Sequence, residues 1–162
     1  MKPVREKPHR LPEAAYFGTV SVSFTACVED RRHLFIDPSV VEAFLDILRS
    51  ESQGHRSEVA LYCFMPDHLH LVLKGVERAS RPKRAMDSFK YVTGQWLARN
   101  RPGFAWQANY HDHVIRNGED GDAHVRYIAL NPVRAGLVES PLDYPYTGSF
   151  ATDWKELLVN SI

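Results

Sequence analysis

The feature that most constrains this chain is a pair of alternating stretches joined by three residues. They are Glu58-Val59-Ala60-Leu61-Tyr62-Cys63-Phe64, then Met65-Pro66-Asp67, then His68-Leu69-His70-Leu71-Val72-Leu73. Both runs are rich in aliphatic, β-branched and aromatic residues, and the second ends at Gly75, which predicts two strands. So short a connection makes them an antiparallel hairpin. Alternate side chains of a strand share a face, so His68 and His70 project together while Leu69 and Leu71 point into a core. Two imidazoles side by side above a sheet are half of a metal site. The same spacing also arises by chance in a chain with eight histidines among 162 residues.

The remaining elements arrange themselves around that hairpin. Residues 16–28 alternate small or polar with apolar side chains and predict a first strand. Pro38-Ser39 opens a helix in which Val41, Phe44, Leu45 and Leu48 recur at helical spacing, until Gln53-Gly54-His55 breaks it. Pro82 starts a longer helix reaching about Arg99, with Ala85, Met86, Phe89, Val92 and Trp96 on one side and Lys83, Arg84 and Lys90 opposite. Residues 104–107 read as either a fourth strand or an extended loop. A short helix from about Asp120 must end near Asn131, because Pro132 disfavours helical geometry in the residue before it. A tail from about residue 141 closes with a helix-like run over 152–159, and residues 1–13, with Pro3, Pro8 and Pro12, read as an irregular arm. The order β-α-β-β-α-β/loop-α predicts one α+β domain over residues 1–162. Its helices pack on one face of an antiparallel sheet, and the other face is free to display His68 and His70.

Composition narrows the class. With 44% hydrophobic and 25% charged residues, the chain has the proportions of a soluble domain with its own core. It lacks a run of eighteen apolar residues, so no membrane-spanning helix is expected. The charged start has no apolar stretch behind it, and no secretory leader is expected. Cys27 and Cys63 fall inside strands and read as buried free thiols. A cytoplasmic protein is the expectation. The net charge of zero argues against indiscriminate coating of nucleic acid. Basic residues nevertheless crowd at Lys2, Arg5, Lys7 and Arg10, and again at Arg78, Arg81, Lys83, Arg84, Lys90, Arg99 and Arg101. That pattern is a local cationic surface or a solvated helix face.

Two further groupings carry chemistry. Tyr127 and Asn131 are spaced i and i+4, neighbours on one helix face. Without context the pair reads as a core tyrosine with an asparagine at a helix C-terminus. His111-Asp112-His113 is a second His-x-His, and with the first it would make a four-histidine zinc site, although no cysteine lies nearby.

Several separated motifs, in order, change that balance. Met65-Pro66-Asp67-His68-Leu69-His70-Leu71-Val72 is followed by Trp106-Gln107, Asp112, Ile115-Arg116 and Tyr127-Ile128. Asn131-Pro132-Val133-Arg134-Ala135-Gly136-Leu137-Val138 and Asp143-Tyr144-Pro145-Tyr146 with Ser149 complete the series. Over roughly residues 16–150 the chain resembles the REP-associated tyrosine transposases, which belong to the insertion-sequence-200-like, single-tyrosine HUH superfamily.

The resemblance implies a ferredoxin-like domain that cuts and rejoins single-stranded DNA at hairpins such as REP-like palindromes, as a monomer or homodimer. By the same resemblance His68 and His70 are the HUH metal ligands, Tyr127 is the nucleophile, and Asn131 stands at the third ligand position, where some relatives carry Gln. Mg²⁺ or Mn²⁺ is the implied ion, and a 5′-phosphotyrosine the implied intermediate. DNA contacts are expected from Arg81, Lys83, Arg84, Lys90, Trp106 and Arg116. Two other classes stay in view. One is a catalytically silent, domesticated DNA-binding relative. The other is a metal-dependent hydrolase of small phosphoesters, which gives no reason for a tyrosine at position 127.

Overall fold

A computed structural model describes residues 11–115, 121–151 and 153–159. Most of the expected arm, residues 1–10, and the expected DNA contact Arg116 lie outside the described residues. The regular elements are β1 (Ser21–Cys27), α1 (Pro38–Gly54), β2 (Ser57–Met65), β3 (His68–Gly75), α2 (Pro82–Asn100) and β4 (His111–Ile115). They continue with α3 (Gly121–Ala129), α4 (Asn131–Arg134), the two-residue β5 (Thr147–Gly148) and α5 (Trp154–Val159). One sheet holds all five strands in the order β4-β1-β3-β2-β5, every neighbouring pair antiparallel. The β-α-β-β-α-β run with β3 central is the expected ferredoxin-like α+β architecture. No helix among the described residues is long and apolar enough to cross a membrane.

The two long helices begin where the chain's chemistry starts them. Asp37 caps α1 by accepting the Ser39 backbone N–H at 3.0 Å, and Pro38 and Pro82 stand in the first turns of α1 and α2. Both helices lie on one face of the sheet. There Leu69, Leu71 and Leu73 of β3 join Phe24, Phe44, Phe64 and Phe89 in the main core. Each such side chain stabilises the fold by about 1.5–3 kcal/mol when fully buried. A one-residue slip of β3 would drive His68 and His70 into this core, so the leucines set the register that points the imidazoles outward.

The histidine face is not left open as the sequence reading expected. Val125, Ile128 and Ala129 of α3 and Trp154 of α5 pack on Leu61, Cys63, Met65 and Val72 in a second cluster. In the β2–β3 register Cys63 pairs with His70 and Met65 with His68. The helix bearing Tyr127 is therefore seated on β2, one strand from the imidazoles.

Of the two readings open for residues 104–107 the extended loop holds, with Trp106 making only an isolated bridge to Val28. The fourth strand is His111–Ile115. Of its inward positions the first is Asp112, 5% exposed, and only Val114 is apolar, so its hydrophobic alternation is too short to give a clear signal. The first strand starts at Ser21 rather than Tyr16, because Tyr16 closes a 3₁₀ turn and Gly18 then turns the chain at φ +85°.

Gly75 marks a close approach: a Cβ there would overlap the carbonyl of Gly18. Backbone cannot rotate aside as a side chain can, so Gly75→Ala is expected to cost at least about 2 kcal/mol. Urea unfolding of the variant against the parent checks this, and an unchanged midpoint would contradict it.

Candidate active site

The central strand brings its two histidines edge to face, with ring centroids 4.8 Å apart and the Nε2 atoms 3.1 Å from each other. Each ring's other nitrogen has a partner. His68 Nδ1 lies 2.7 Å from Asp67 Oδ1, and Asp67 Oδ2 accepts the Arg31 Nε–H at 2.7 Å. His70 Nδ1 lies 3.1 Å from the hydroxyl of Thr25, its registered neighbour on β1. An ionised Asp67 can only accept, so His68 donates from Nδ1 and its Nε2 carries a lone pair. Two tautomers of His70 fit this arrangement. In one, Thr25 donates to Nδ1 and the His70 Nε2–H reaches His68. In the other, Nδ1–H donates to Thr25 and both Nε2 lone pairs face the same space.

Burial favours the neutral form of both rings. Burial, then the neighbouring charges of His68, Arg134 and Arg31, push the His70 imidazole down to about 3. Burial also lowers His68, and the bonded Asp67 opposes it only in part. Burial pushes the Asp67 carboxyl up, but the bonds it accepts from Arg31 and His68 outweigh that and hold it below the usual carboxylate range. The folded protein thus binds fewer protons than the unfolded chain between about pH 3 and the ordinary imidazole value of 6.5. The stability that neutral His70 contributes is complete above pH 6.5. As pH falls through that window it is lost at up to about 1.4 kcal/mol per pH unit. Denaturant titrations of metal-free protein at pH 7.5 and 5.0 should show this loss, and His70→Gln should shrink it. Equal losses in the two proteins would overturn the assignment.

The second half of the site is the joint between α3 and α4. Val125, Ile128 and Ala129 face the sheet, which turns Tyr127 outward at 65% exposure. Its hydroxyl makes no hydrogen bond to any described residue, the imidazoles included. Asn131 opens α4, with Pro132 behind it. A guanidinium connects the two: Arg134 Nη2 donates to the Tyr127 carbonyl and to Asn131 Oδ1, both at 2.6 Å, with Cζ 4.0 Å above the Tyr127 ring. Structure therefore joins His68 to His70, and Tyr127 to Asn131. Arg134 relates the two pairs through its field at His70.

The other residues singled out by sequence have local partners. Arg81 and Arg84 stack on Phe17, at 4.0 and 5.3 Å from its centroid. Lys83 pairs with Asp87 at 2.9 Å, and Lys90 donates to the carbonyls of Gln107 and Asn109 at 2.8 and 3.4 Å. Trp106 donates from Nε1 to Thr93 and packs on Phe35, Phe44 and Phe89. Arg81, Lys83 and Arg84 follow the Gly75 end of β3 in the chain, and that end lies about 20 Å along the strand from His68. The four-histidine zinc site is not formed. His111 pairs with Thr25 on the far side of β1 from His70, about 10 Å away across two strand spacings. Among the described residues no three His, Cys, Asp or Glu side chains could hold one ion.

Sequence reading missed Arg31, Asp67, Thr25 and Arg134 as parts of the site. Asp67 had a signal, since a carboxylate commonly orients a ligating histidine and this one adjoins His68. Arg31 had none. It is 36 residues from Asp67 and arrives through two successive left-handed residues, Asp30 and Arg31, at φ +58° and +52°.

Residues 17–131 match the family model described as "Transposase IS200 like". The chain belongs to that family. As an IS200-like transposase it is similar, at 27% identity over 143 residues, to a Haemophilus influenzae protein described as a REP-associated tyrosine transposase, with 82% of this chain and 80% of that protein covered. An Escherichia coli REP-associated tyrosine transposase is 28% identical over 109 residues, covering 60% of this chain and 62% of that one. Among solved structures, a REP-associated tyrosine transposase bound to a REP hairpin shares the fold at TM-score 0.68 and 21% identity, covering 91% of this chain and 82% of its own. A Deinococcus radiodurans protein described as a transposase superposes at TM-score 0.52 and 15% identity, covering 82% of this chain and 97% of its own.

Proposed function

We propose that this IS200-like transposase is a metal-dependent single-stranded DNA endonuclease and strand transferase, which cuts and rejoins hairpin-bearing DNA through Tyr127. The observation that carries the reading is the convergence of His68 Nε2 and His70 Nε2 at 3.1 Å, with their other nitrogens turned to Asp67 and Thr25. Two nitrogens at right angles around an ion at about 2.1 Å would stand about 3 Å apart. The donor set fits a divalent ion, and Asn131 Oδ1 would be the third protein ligand. Mixed nitrogen and oxygen ligation suits Mg²⁺ or Mn²⁺, with Mn²⁺ the better match for imidazole. When bound, such an ion supplies Lewis-acid polarisation of a phosphate oxygen.

The chain's residues do the rest. Tyr127 Oη loses its proton to solvent and attacks the scissile phosphorus. The bond from phosphorus to the 3′ oxygen breaks, a 5′-phosphotyrosine forms, and the departing oxygen takes a proton to become a 3′-hydroxyl. One phosphodiester is exchanged for another, so rejoining requires no ATP. Exposure of the phenol on the outer side of α3 suits a substrate that must bring its backbone to the enzyme. The hairpin partner is proposed by likeness to the relative solved with a REP hairpin.

The test is incubation with end-labelled single-stranded hairpin DNA and Mn²⁺. A label that stays on the protein through denaturation supports the reading. Tight binding without any adduct would favour the catalytically silent relative.

A further inference from the structure

Arg134 holds both ends of the α3–α4 joint. Its Nη2 donates to the Tyr127 carbonyl and to Asn131 Oδ1, each at 2.6 Å. Its guanidinium also covers the Tyr127 ring at 4.0 Å. Pro132 has no N–H to continue the helical ladder, so this side chain splints the break. The arrangement is not made for the comfort of Asn131, whose Nδ2 is buried with no hydrogen-bond partner among the described residues. An unsatisfied buried amide costs about 1–3 kcal/mol. Arg134 itself is exposed, with a planar fork that matches phosphate oxygens better than a single amide carbonyl.

We infer that Arg134 guards the third ligand position: in the free protein its guanidinium occupies Asn131 Oδ1, and an incoming DNA phosphate draws it away and frees that oxygen for the ion. The inference rests on the metal reading proposed above. A guanidinium and a divalent cation compete for one carboxamide oxygen and repel each other beside His70. The phosphate that neutralises Arg134 removes both obstacles. Hairpin DNA and metal therefore bind with positive coupling, which must be reciprocal, and Arg134 is the residue that carries it. Contact with the phosphate also makes Arg134 a substrate-binding group, so its loss acts in opposite directions on the two ligands.

The experiment measures free Mn²⁺ by electron paramagnetic resonance, with and without a synthetic single-stranded hairpin bearing a 5′ flank. It uses the parent, Arg134→Ala, Arg134→Gln and His70→Ala. Without DNA, both Arg134 variants should bind Mn²⁺ about 5-fold more tightly than the parent, the low end of ordinary coupling. Hairpin DNA should tighten Mn²⁺ binding in the parent and do so much less in the variants, whose own hairpin affinity falls. A merely structural Arg134 would instead loosen the joint and weaken both ligands. Unchanged or weaker Mn²⁺ binding in both Arg134 variants, with His70→Ala clearly impaired, overturns the inference and leaves the metal site standing. Unimpaired Mn²⁺ binding in His70→Ala overturns the metal reading itself. Arg134→Gln keeps a shorter, uncharged hydrogen-bonding side chain, so agreement between the two Arg134 variants separates loss of charge from misfolding.

Discussion

Tyr127→Phe is expected to fold as the parent does and to form no covalent complex with DNA. The substitution removes one oxygen from a side chain that is 65% exposed and makes no hydrogen bond through it. No buried partner is left unsatisfied, and the stability change should stay within about 0.5 kcal/mol. Arg134 still covers the ring, because it contacts the aromatic face and the Tyr127 carbonyl rather than the hydroxyl. The chemical consequence is absolute, since phenylalanine has no nucleophile, and adduct should drop by at least about 1000-fold. The measurements are a denaturing gel of labelled hairpin DNA and a thermal melt. An adduct at parental level would move the nucleophile elsewhere, with exposed Tyr91 the first alternative. A collapsed melting temperature would make Tyr127 a packing residue, against its position on the outer side of α3.

The second large effect concerns the imidazoles. His68→Ala and His70→Ala should each abolish strand cleavage and lower Mn²⁺ affinity by at least about 100-fold, whereas His111→Ala should leave both within a factor of about 3. The contrast follows from the register. His70 stands beside Thr25 on β3, and His111 stands beside the same Thr25 on β4. One strand therefore separates two histidines that the sequence presents in the same pattern. His113 is engaged elsewhere, stacked on His124 of α3 at 5.2 Å between centroids. Calorimetric titration with Mn²⁺ reads the ranking. Equal losses at His70 and His111 would show that both His-x-His pairs serve one centre.

Much of this architecture is written locally. The β2–β3 hairpin follows from period-two alternation across Met65-Pro66-Asp67, and α1 and α2 follow from apolar spacing with Pro38 and Pro82 at their starts. The orientation of His68 and His70 follows as well, because the alternating leucines can be buried on one side only. Family membership was legible for a related reason: strings such as Asn131-Pro132-Val133-Arg134 lie in one continuous stretch. Other features depended on tertiary contacts. β4 was hidden because one of its two inward residues is Asp112, whose carboxylate accepts the Tyr16 hydroxyl at 2.6 Å, and only the folded chain supplies that partner. The basic residues from Arg81 to Lys90 look like a free cationic face in sequence, yet Phe17, Asp87 and two backbone carbonyls engage them. Asp67 adjoins His68 in the hairpin turn, but Thr25 and Arg31 reach the site from β1 and the loop after it, and periodicity says nothing about partners that meet across a sheet. Local pattern thus determined which side chains the hairpin displays. Strand order and register decided which other groups would stand beside them, because hydrogen-bond partners distant in sequence are chosen only when the sheet closes.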